Sequence, residues 1–96
     1  MRLRSRVDTN QAVIVKALRS VGCSVLHLHQ LGRGVPDILA SYHDCLYLME
    51  IKDGSRAASE RRLTQDEFEW HSAWDGPVYI VETIADALSV IGVEIK

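Results

Sequence analysis

Two short apolar runs, separated by only three residues, constrain the fold of this chain more than any other feature of its sequence. The runs are Asp37–Tyr42 and Leu46–Ile51, and His43-Asp44-Cys45 lies between them. Short apolar runs joined by a few turn residues are typical of a β-hairpin. Pro36, directly before the first run, fixes the entry into the first of the two strands. The sequence therefore predicts a sheet built around this hairpin.

Helical periodicity precedes the hairpin. Asp8, with Gln11 three residues later, forms a capping-box pattern that predicts the start of a first helix, and Gly22 predicts its end. Apolar residues recur between these ends at helical spacing: Ile14, Ala17, Leu18 and Val21. Residues Ser24–His29 then predict a first strand, with Val25 and the two histidines on one face.

Two further helices and one strand are predicted after the hairpin. Thr64 opens a helix, with Glu67 in the capping-box position, and Gly76-Pro77 ends it. Residues Val78–Val81 predict a short last strand, and Thr83 caps a final helix. The apolar stripe of that helix consists of Ile84, Ala87, Leu88 and Ile91.

The predicted order of elements, α-β-β-β-α-β-α, describes an α/β fold with a mixed four-stranded sheet flanked by helices. At 96 residues, we expect residues 1–96 to form a single domain. No apolar run approaches the roughly 20 residues that span a bilayer, and the basic N-terminus lacks the apolar stretch of a signal peptide. Two cysteines without framework spacing fit a reducing compartment, so we expect a cytoplasmic protein with no membrane partner.

The charge is distributed unevenly along the chain. Residues 1–62 contain ten Lys and Arg and six Asp and Glu, a net charge of +4. Residues 63–96 contain one Lys and seven Asp and Glu, a net charge of −6. The two halves sum to the overall net charge of −2. This asymmetry indicates a basic face that suits a polyanionic partner, although scattered surface charge is an equally good explanation.

Asp37, Glu50 and Lys52 have residue types and spacing that fit one chemical task. Glu50 and Lys52 are two apart on a predicted strand, so their side chains share a face, whereas Met49 and Ile51 point to the other face. Asp37 lies on the neighbouring strand, and the hairpin register decides whether it joins them.

Three registers are open to the hairpin. Across a four-residue loop, Tyr42–Cys45, Asp37 pairs with Glu50 and all three side chains share one face. A two-residue loop, Asp44-Cys45, places Asp37 opposite Lys52, still on that face. An odd loop of three residues would put Asp37 on the opposite face unless a bulge intervened.

Two carboxylates on one sheet face form a hard oxygen site suited to Mg²⁺ or Mn²⁺. A bound divalent ion lowers the pKa of its water and neutralises charge that develops on a transferring phosphoryl group. The adjacent Lys52 can orient the attacking water and stabilise the same charge. Together these parts describe metal-assisted phosphodiester hydrolysis; an ordinary turn aspartate and a solvated strand face are the simpler alternative.

At these residues the chain resembles the VRR-NUC branch of the PD-(D/E)XK nuclease superfamily, a branch common in phages and bacteria. The resemblance is carried by three segments: Gly34-Val35-Pro36-Asp37-Ile38-Leu39, Met49-Glu50-Ile51-Lys52-Asp53-Gly54 and Leu63-Thr64. It extends from about Asp8 to Ile91 and includes Asn10, Trp70-His71, Trp74 and Gly76-Pro77.

The resemblance implies a restriction-endonuclease-like fold and Mg²⁺- or Mn²⁺-dependent cleavage of DNA. It implies that Asp37 and Glu50 are metal ligands, that Ile51 adds its backbone carbonyl, and that Lys52 acts on the nucleophilic water. It also implies a homodimer, which would place two sites on opposite strands of branched DNA such as a four-way junction.

This chain departs from the branch at two places. Many members of the superfamily carry an acidic residue on the first helix, where this chain has Asn10, Gln11 and Val13. Gln11 is the candidate helix-one contact to the site, although its simplest role is in the capping box. Where members of the branch often have Gln, this chain has Glu67, which is itself explained by the capping box of Thr64.

Four arginines flank the proposed site in sequence, and loop arginines beside a nuclease site can position DNA through its phosphates. They are Arg33, Arg56, Arg61 and Arg62. Ordinary solubility is the simpler explanation for such residues.

Two rival functions remain open. A degenerate nuclease fold could bind DNA or a partner protein without cutting, which the missing helix-one carboxylate favours. A zinc-stabilised structural protein would use a set of soft and borderline ligands, Cys23, His27, His29, His43 and Cys45.

Trp70 and Trp74, four apart on a predicted helix, have the spacing of core or dimer packing.

Overall fold

A four-stranded sheet forms the centre of the part of the chain that the computed structural model describes, residues 10–94. In chain order the elements are α1 (Gln11–Ser20), β1 (Ser24–His27), a 3-10 turn (His29–Leu31), β2 (Ile38–Tyr42), β3 (Cys45–Ile51), α2 (Ala58–Arg61), α3 (Gln65–Ala73), β4 (Tyr79–Val81) and α4 (Ile84–Val90). The strands lie in the order β1-β2-β3-β4; β2 is antiparallel to both of its neighbours, β1 and β3, and β4 is parallel to β3. The expected α/β class with a mixed four-stranded sheet flanked by helices is confirmed.

The hairpin of β2 and β3 closes through a tight turn at His43 and Asp44. Both residues have positive φ, 49° and 68°, the left-handed conformation that the two-residue turns of twisted hairpins require. Tyr42 and Cys45 are therefore the last paired residues of the ladder, and they are not part of the loop. Ile38 pairs with Met49, which puts the preceding Asp37 across from Glu50. This is the predicted register in which Asp37 pairs with Glu50, but the connecting loop has two residues where four were expected.

The apolar core lies between one face of the sheet and two helices, α1 and α4. The sheet contributes Ile38, Ala40, Met49, Ile51 and Val81, all at most 1% exposed. The helices contribute the predicted stripes, whose buried members are Ile14, Leu18, Ala87, Leu88 and Ile91. The apolar residues that recur every second position on the strands and about every 3.6 positions on the helices therefore pack into the same core.

The predicted helix caps are mostly confirmed. Gly22, at φ 106°, ends α1, and its N–H donates to the carbonyl of Arg19 while the next N–H reaches Leu18, both at 3.0 Å. Thr64 and Glu67 form both hydrogen bonds of a capping box. The Thr83 hydroxyl accepts from the third N–H of α4.

Two predicted ends are wrong, and one short helix went unpredicted. The first strand stops at His27, because Leu28 adopts a helical backbone, φ −117° and ψ −8°, and leads into the 3-10 turn. The helix α3 ends at Ala73, ahead of Gly76-Pro77, because Trp74 is already extended, with ψ 127°. The four residues of α2 lie in a stretch whose sequence shows no periodicity.

The start of α1 differs from the capping-box prediction. Asp8 lies outside the described residues, and the N-cap position of α1 is Asn10. The prediction was that the Gln11 side chain reaches back and caps the helix. It is instead turned towards two histidines, one in β1 and one in the 3-10 turn.

The helix α3 packs differently from α1 and α4, since none of its residues, all of them within the described part, is buried. Trp70 and Trp74 stack on each other with ring centroids 4.7 Å apart. Trp74 is 47% exposed. The two tryptophans therefore do not form the core packing that was one of the two expectations for this pair. Among residues 10–94, no helix has both the length and the apolar content needed to cross a membrane.

Candidate active site

The hairpin brings Asp37, Glu50 and Lys52 together on the face of the sheet opposite the core. They are 8%, 2% and 7% exposed. Charged side chains are rarely buried to this degree unless they have partners. The simple alternative of a solvated strand face is therefore wrong, and the three residues form a buried polar cluster beneath α3.

Asp37 is held rigidly between the two strands. Its Oδ2 accepts a hydrogen bond of 2.7 Å from the N–H of Ile51, and its own carbonyl accepts from the N–H of Leu28 at 2.8 Å. The carboxylate therefore spans from the start of β2 to the end of β3, and its orientation is fixed by backbone groups.

Lys52 is oriented by a residue of α3. Its Nζ donates to Glu67 Oε1 at 2.7 Å and lies 3.7 Å from Glu50 Oε2. The same Glu67 oxygen accepts from the N–H of Thr64 at 2.8 Å. One carboxylate thus caps α3 and anchors the lysine, and the sequence indicated only the first of these two roles.

Burial dominates the electrostatics of Glu50. Burial, and then the charges of Asp37 and Glu67, raise the pKa of Glu50 to about 10, against the opposing effect of Lys52. For Glu67, burial raises the pKa, but hydrogen bonds from Lys52 and the Thr64 backbone outweigh it and lower the pKa below its usual value. The two carboxyls therefore differ in protonation, and Glu50 is neutral when no cation is bound.

A fifth residue, His71, completes the cluster; it was included in the family resemblance but was given no role in the site. Its Nε2 lies 3.8 Å from Glu50 Oε1, and within residues 10–94 neither atom has a hydrogen-bond partner. Burial lowers the pKa of His71, outweighing the effect of Glu67. The available signal was its position one helical turn after Glu67, which places both side chains on one face of α3.

The residues present fit a hard divalent cation. The predicted ligands are Asp37, Glu50 and the carbonyl of Ile51; the charge of Asp37 acts on Glu50, and Ile51 donates its N–H to Asp37. The buried, unpartnered Glu50 oxygen is the kind of group that a cation would satisfy. No three His, Cys, Asp or Glu side chains within residues 10–94 are arranged as a preformed cage, but Mg²⁺ is often held by one or two carboxylates and water.

A cavity of about 690 Å³ opens above this cluster. Asp37, Glu50 and Lys52 line it, as do three of the four arginines predicted to contact DNA: Arg33, Arg56 and Arg62. Arg61 is placed elsewhere. Its Nη1 lies 3.2 Å from both carboxylate oxygens of Glu82, and its Nε donates to the carbonyl of Arg56.

One wall of the cavity depends on a glycine. Gly34 has a φ of 85°, and a Cβ at this position would come within 2.1 Å of the carbonyl oxygen of Asp66. The loop before β2 can therefore approach the first turn of α3 only without a side chain here. Arg33, the residue before this glycine, lines the same cavity.

The helix-one contact to the site comes from a different residue than expected. Asn10 donates from Nδ2 to the carbonyls of Lys52 at 3.0 Å and Glu82 at 2.9 Å, and so ties α1 to the ends of β3 and β4. Gln11 is 2% exposed, and its Nε2 lies 3.3 Å from Nδ1 of both His27 and His29.

The proposed zinc ligands do not assemble. Cys23 is buried, whereas Cys45 is exposed at the hairpin turn next to His43. Within the described part of the chain, no three of these residues form a metal-ligand group. The histidine pair instead surrounds the Gln11 amide.

Comparisons of the chain with protein-family models, with curated proteins and with solved structures give no match.

Proposed function

We propose that the protein is a DNA nuclease that hydrolyses phosphodiester bonds with the help of Mg²⁺ or Mn²⁺, on a restriction-endonuclease-like fold of the VRR-NUC kind. The observation that carries this proposal is the convergence of Asp37, Glu50 and Lys52, all buried, on the floor of an arginine-lined cavity. Burying three ionisable groups in one place, one of them with a strongly raised pKa, is unfavourable for folding alone, so a functional reason is favoured.

In this proposal, Asp37, Glu50 and the carbonyl of Ile51 would hold the ion. When bound, the ion would lower the pKa of a water molecule and neutralise charge on the phosphoryl group. Lys52 would donate from Nζ to the attacking water or to the developing negative charge, and its contribution would be greatest in the transition state. Glu67 would hold the lysine in position through the 2.7 Å hydrogen bond.

The cavity suits a phosphodiester substrate. Its volume of about 690 Å³ lies within the range of about 300–1,000 Å³ usual for binding clefts. Arg33, Arg56 and Arg62 would contact backbone phosphates, which positions DNA without reading its sequence. A chain this small has little surface for base recognition, since specific modules bury roughly 600–1,000 Å² or more.

We further propose a homodimer that acts on branched DNA. The supporting observation is α3, which exposes Phe68, is followed directly by the exposed Trp74, and buries none of its own residues within the described chain. A two-fold interface that covers such apolar groups would present two active sites with opposite polarity. Four-way junctions and flaps are substrates that match this arrangement.

A non-catalytic DNA-binding or partner-binding module is the second candidate. It is favoured by α1, which places the neutral Asn10 at the end of β3 where many nucleases of the superfamily have a carboxylate. With fewer negative ligands, a metal ion would bind more weakly.

One experiment separates the two candidates. The purified protein is incubated with linear, flapped and four-way DNA in the presence of Mg²⁺, Mn²⁺ or a chelator. The nuclease proposal expects cleavage with either ion, at least as fast with Mn²⁺, and none with chelator. DNA binding without cleavage under every metal condition would favour the binding module, and full cleavage in chelator would overturn the metal mechanism.

A further inference from the structure

We propose that His71 is an additional ligand of the metal ion, and that this imidazole makes the site prefer Mn²⁺ and other transition metals to Mg²⁺. The inference rests on the proposed function in one respect: Asp37 and Glu50 must hold a divalent ion. It goes further in naming a nitrogen ligand and the resulting class of metal.

The geometry at Glu50 and His71 carries the inference. Glu50 Oε1 and His71 Nε2 are 3.8 Å apart, too far for a hydrogen bond. Each is buried, and within residues 10–94 each lacks a hydrogen-bond partner. Buried polar atoms in proteins are nearly always satisfied, so two unsatisfied atoms that face each other point to a group that binds both.

A metal ion fits this gap. Bonds of imidazole nitrogen and carboxylate oxygen to a divalent transition metal are about 2.0–2.2 Å long, so two ligands of one ion can be separated by up to about 4.2 Å. The 3.8 Å between Nε2 and Oε1 lies inside this limit. The ion would satisfy both atoms, whereas a direct hydrogen bond would require them to approach by several tenths of an ångström.

The helix α3 is built to present His71 at this point. Its first turn is fixed by the capping box of Thr64 and Glu67 and by the 2.7 Å bond from Lys52 to Glu67. None of its residues is buried in the described chain, so polar contacts to the cluster, more than apolar packing, set its position. His71, one turn beyond Glu67, is only 13% exposed at its side chain.

An imidazole ligand has a chemical consequence. Mg²⁺ is bound almost entirely through oxygen and gives up its waters reluctantly. Sites that contain nitrogen bind first-row transition metals with an affinity that rises from Mn²⁺ towards Cu²⁺. A site in which Glu50 and His71 both bind the ion would therefore favour Mn²⁺ over Mg²⁺ more than an all-oxygen site would.

Pulsed electron paramagnetic resonance of the Mn²⁺-loaded protein tests this directly. We expect ¹⁴N coupling from a directly bound imidazole in the wild type, replaced by ¹⁵N coupling when only histidine is ¹⁵N-labelled. The coupling should vanish in His71→Gln and His71→Ala, and Mn²⁺ affinity measured by calorimetry should fall roughly tenfold or more relative to Mg²⁺ affinity. His43→Asn, at the exposed hairpin turn, is the matched control and should change neither.

The outcomes distinguish this inference from the proposed function. Wild-type protein that binds Mn²⁺ and cleaves DNA without ¹⁴N coupling would overturn the histidine ligand and leave the nuclease intact. Coupling that persists in both His71 variants, or that stays ¹⁴N after histidine labelling, would assign the nitrogen to another residue and also overturn it. Absence of any Mn²⁺ binding would overturn both proposals.

Discussion

Glu67 Oε1 accepts hydrogen bonds from both Lys52 Nζ, at 2.7 Å, and the Thr64 N–H, at 2.8 Å. The start of α3 and the lysine at the end of β3 are therefore fixed by one oxygen atom. This arrangement couples the stability of a helix terminus to the orientation of a proposed catalytic group, and the two effects can be separated by mutation.

Glu67→Gln should lower activity with little loss of stability. Glutamine can still complete a capping box, but a neutral amide holds the lysine ammonium less strongly than a carboxylate does. We expect a cleavage rate roughly tenfold lower and a melting temperature within a few degrees of the wild type. The matched control is Thr64→Ala, which removes the cap at a cost of about 1 kcal/mol and should leave the cleavage rate nearly unchanged. Equal losses of activity in both variants would show that Glu67 acts only as a cap.

Lys52→Met should abolish most cleavage without weakening metal binding. If the Lys52 ammonium acts mainly in the transition state, its loss should cost a factor of about 100 or more in rate. Methionine has a similar length and suits the buried site. Asp37→Asn and Glu50→Gln should behave differently, since each weakens a metal ligand and should reduce Mn²⁺ affinity in calorimetry. A Lys52→Met protein that cleaves like the wild type would contradict the assigned role.

The hairpin could be predicted from sequence, whereas its register could not. Apolar alternation identified both strands and put Glu50 and Lys52 on one face, away from Met49. The register depends on His43 and Asp44 adopting left-handed backbone conformations. Asp tolerates that conformation, but composition does not require it, so three registers stayed open.

The sequence did not predict that His71 belongs to the site or that Glu67 binds Lys52, for a related reason. Sequence periodicity detects helices by their apolar stripe, and α3 has no buried residue in the described chain. Its inward face is polar and is defined by contacts to Glu50 and Lys52, which are distant in sequence. Such contacts follow only from the tertiary fold. The ion pair between Arg61 and Glu82 could not be predicted for the same reason, because Glu82 follows β4 and is distant from Arg61 in sequence.

Arg62 and Arg61 should differ in their effect on DNA binding. Arg62 lines the cavity, whereas Arg61 is paired with Glu82. The logarithm of the binding constant falls with the logarithm of salt concentration by about 0.9 per phosphate contact. Measured in chelator to prevent cleavage, Arg62→Ala should make this slope shallower by about 0.9, and Arg61→Ala should leave it unchanged.

The control for the salt experiment is Arg19→Ala. Arg19 lies at the end of α1 and does not line the cavity within the described chain. The slope of the logarithm of the DNA-binding constant against the logarithm of salt concentration should be the same for Arg19→Ala as for the wild type. A shallower slope for Arg61→Ala than for Arg62→Ala would restore the sequence-based assignment of Arg61 to DNA and remove Arg62 from it.

Glu50→Gln should stabilise the metal-free protein at neutral and alkaline pH. Burial and the charge of Asp37 raise the pKa of Glu50 from 4.5 to about 10, so the folded state binds a proton that the unfolded state releases. The stability from the protonated carboxyl is therefore fully present below about pH 4.5 and is lost as the pH rises towards 10. Glutamine imitates the protonated form at every pH.

The gain should be absent near pH 4 and should grow by up to about 1.4 kcal/mol per pH unit as the pH rises towards 8, as followed by thermal unfolding across this range with chelator present. Glu69→Gln, on the exposed face of α3, is the control and should not reproduce the pattern. Adding Mn²⁺ should reverse the order, because the ion stabilises the folded wild type through a carboxylate that the variant lacks. A Glu50→Gln protein that is less stable than the wild type at pH 8 in chelator would contradict the picture of a buried carboxyl that is neutral until a cation binds.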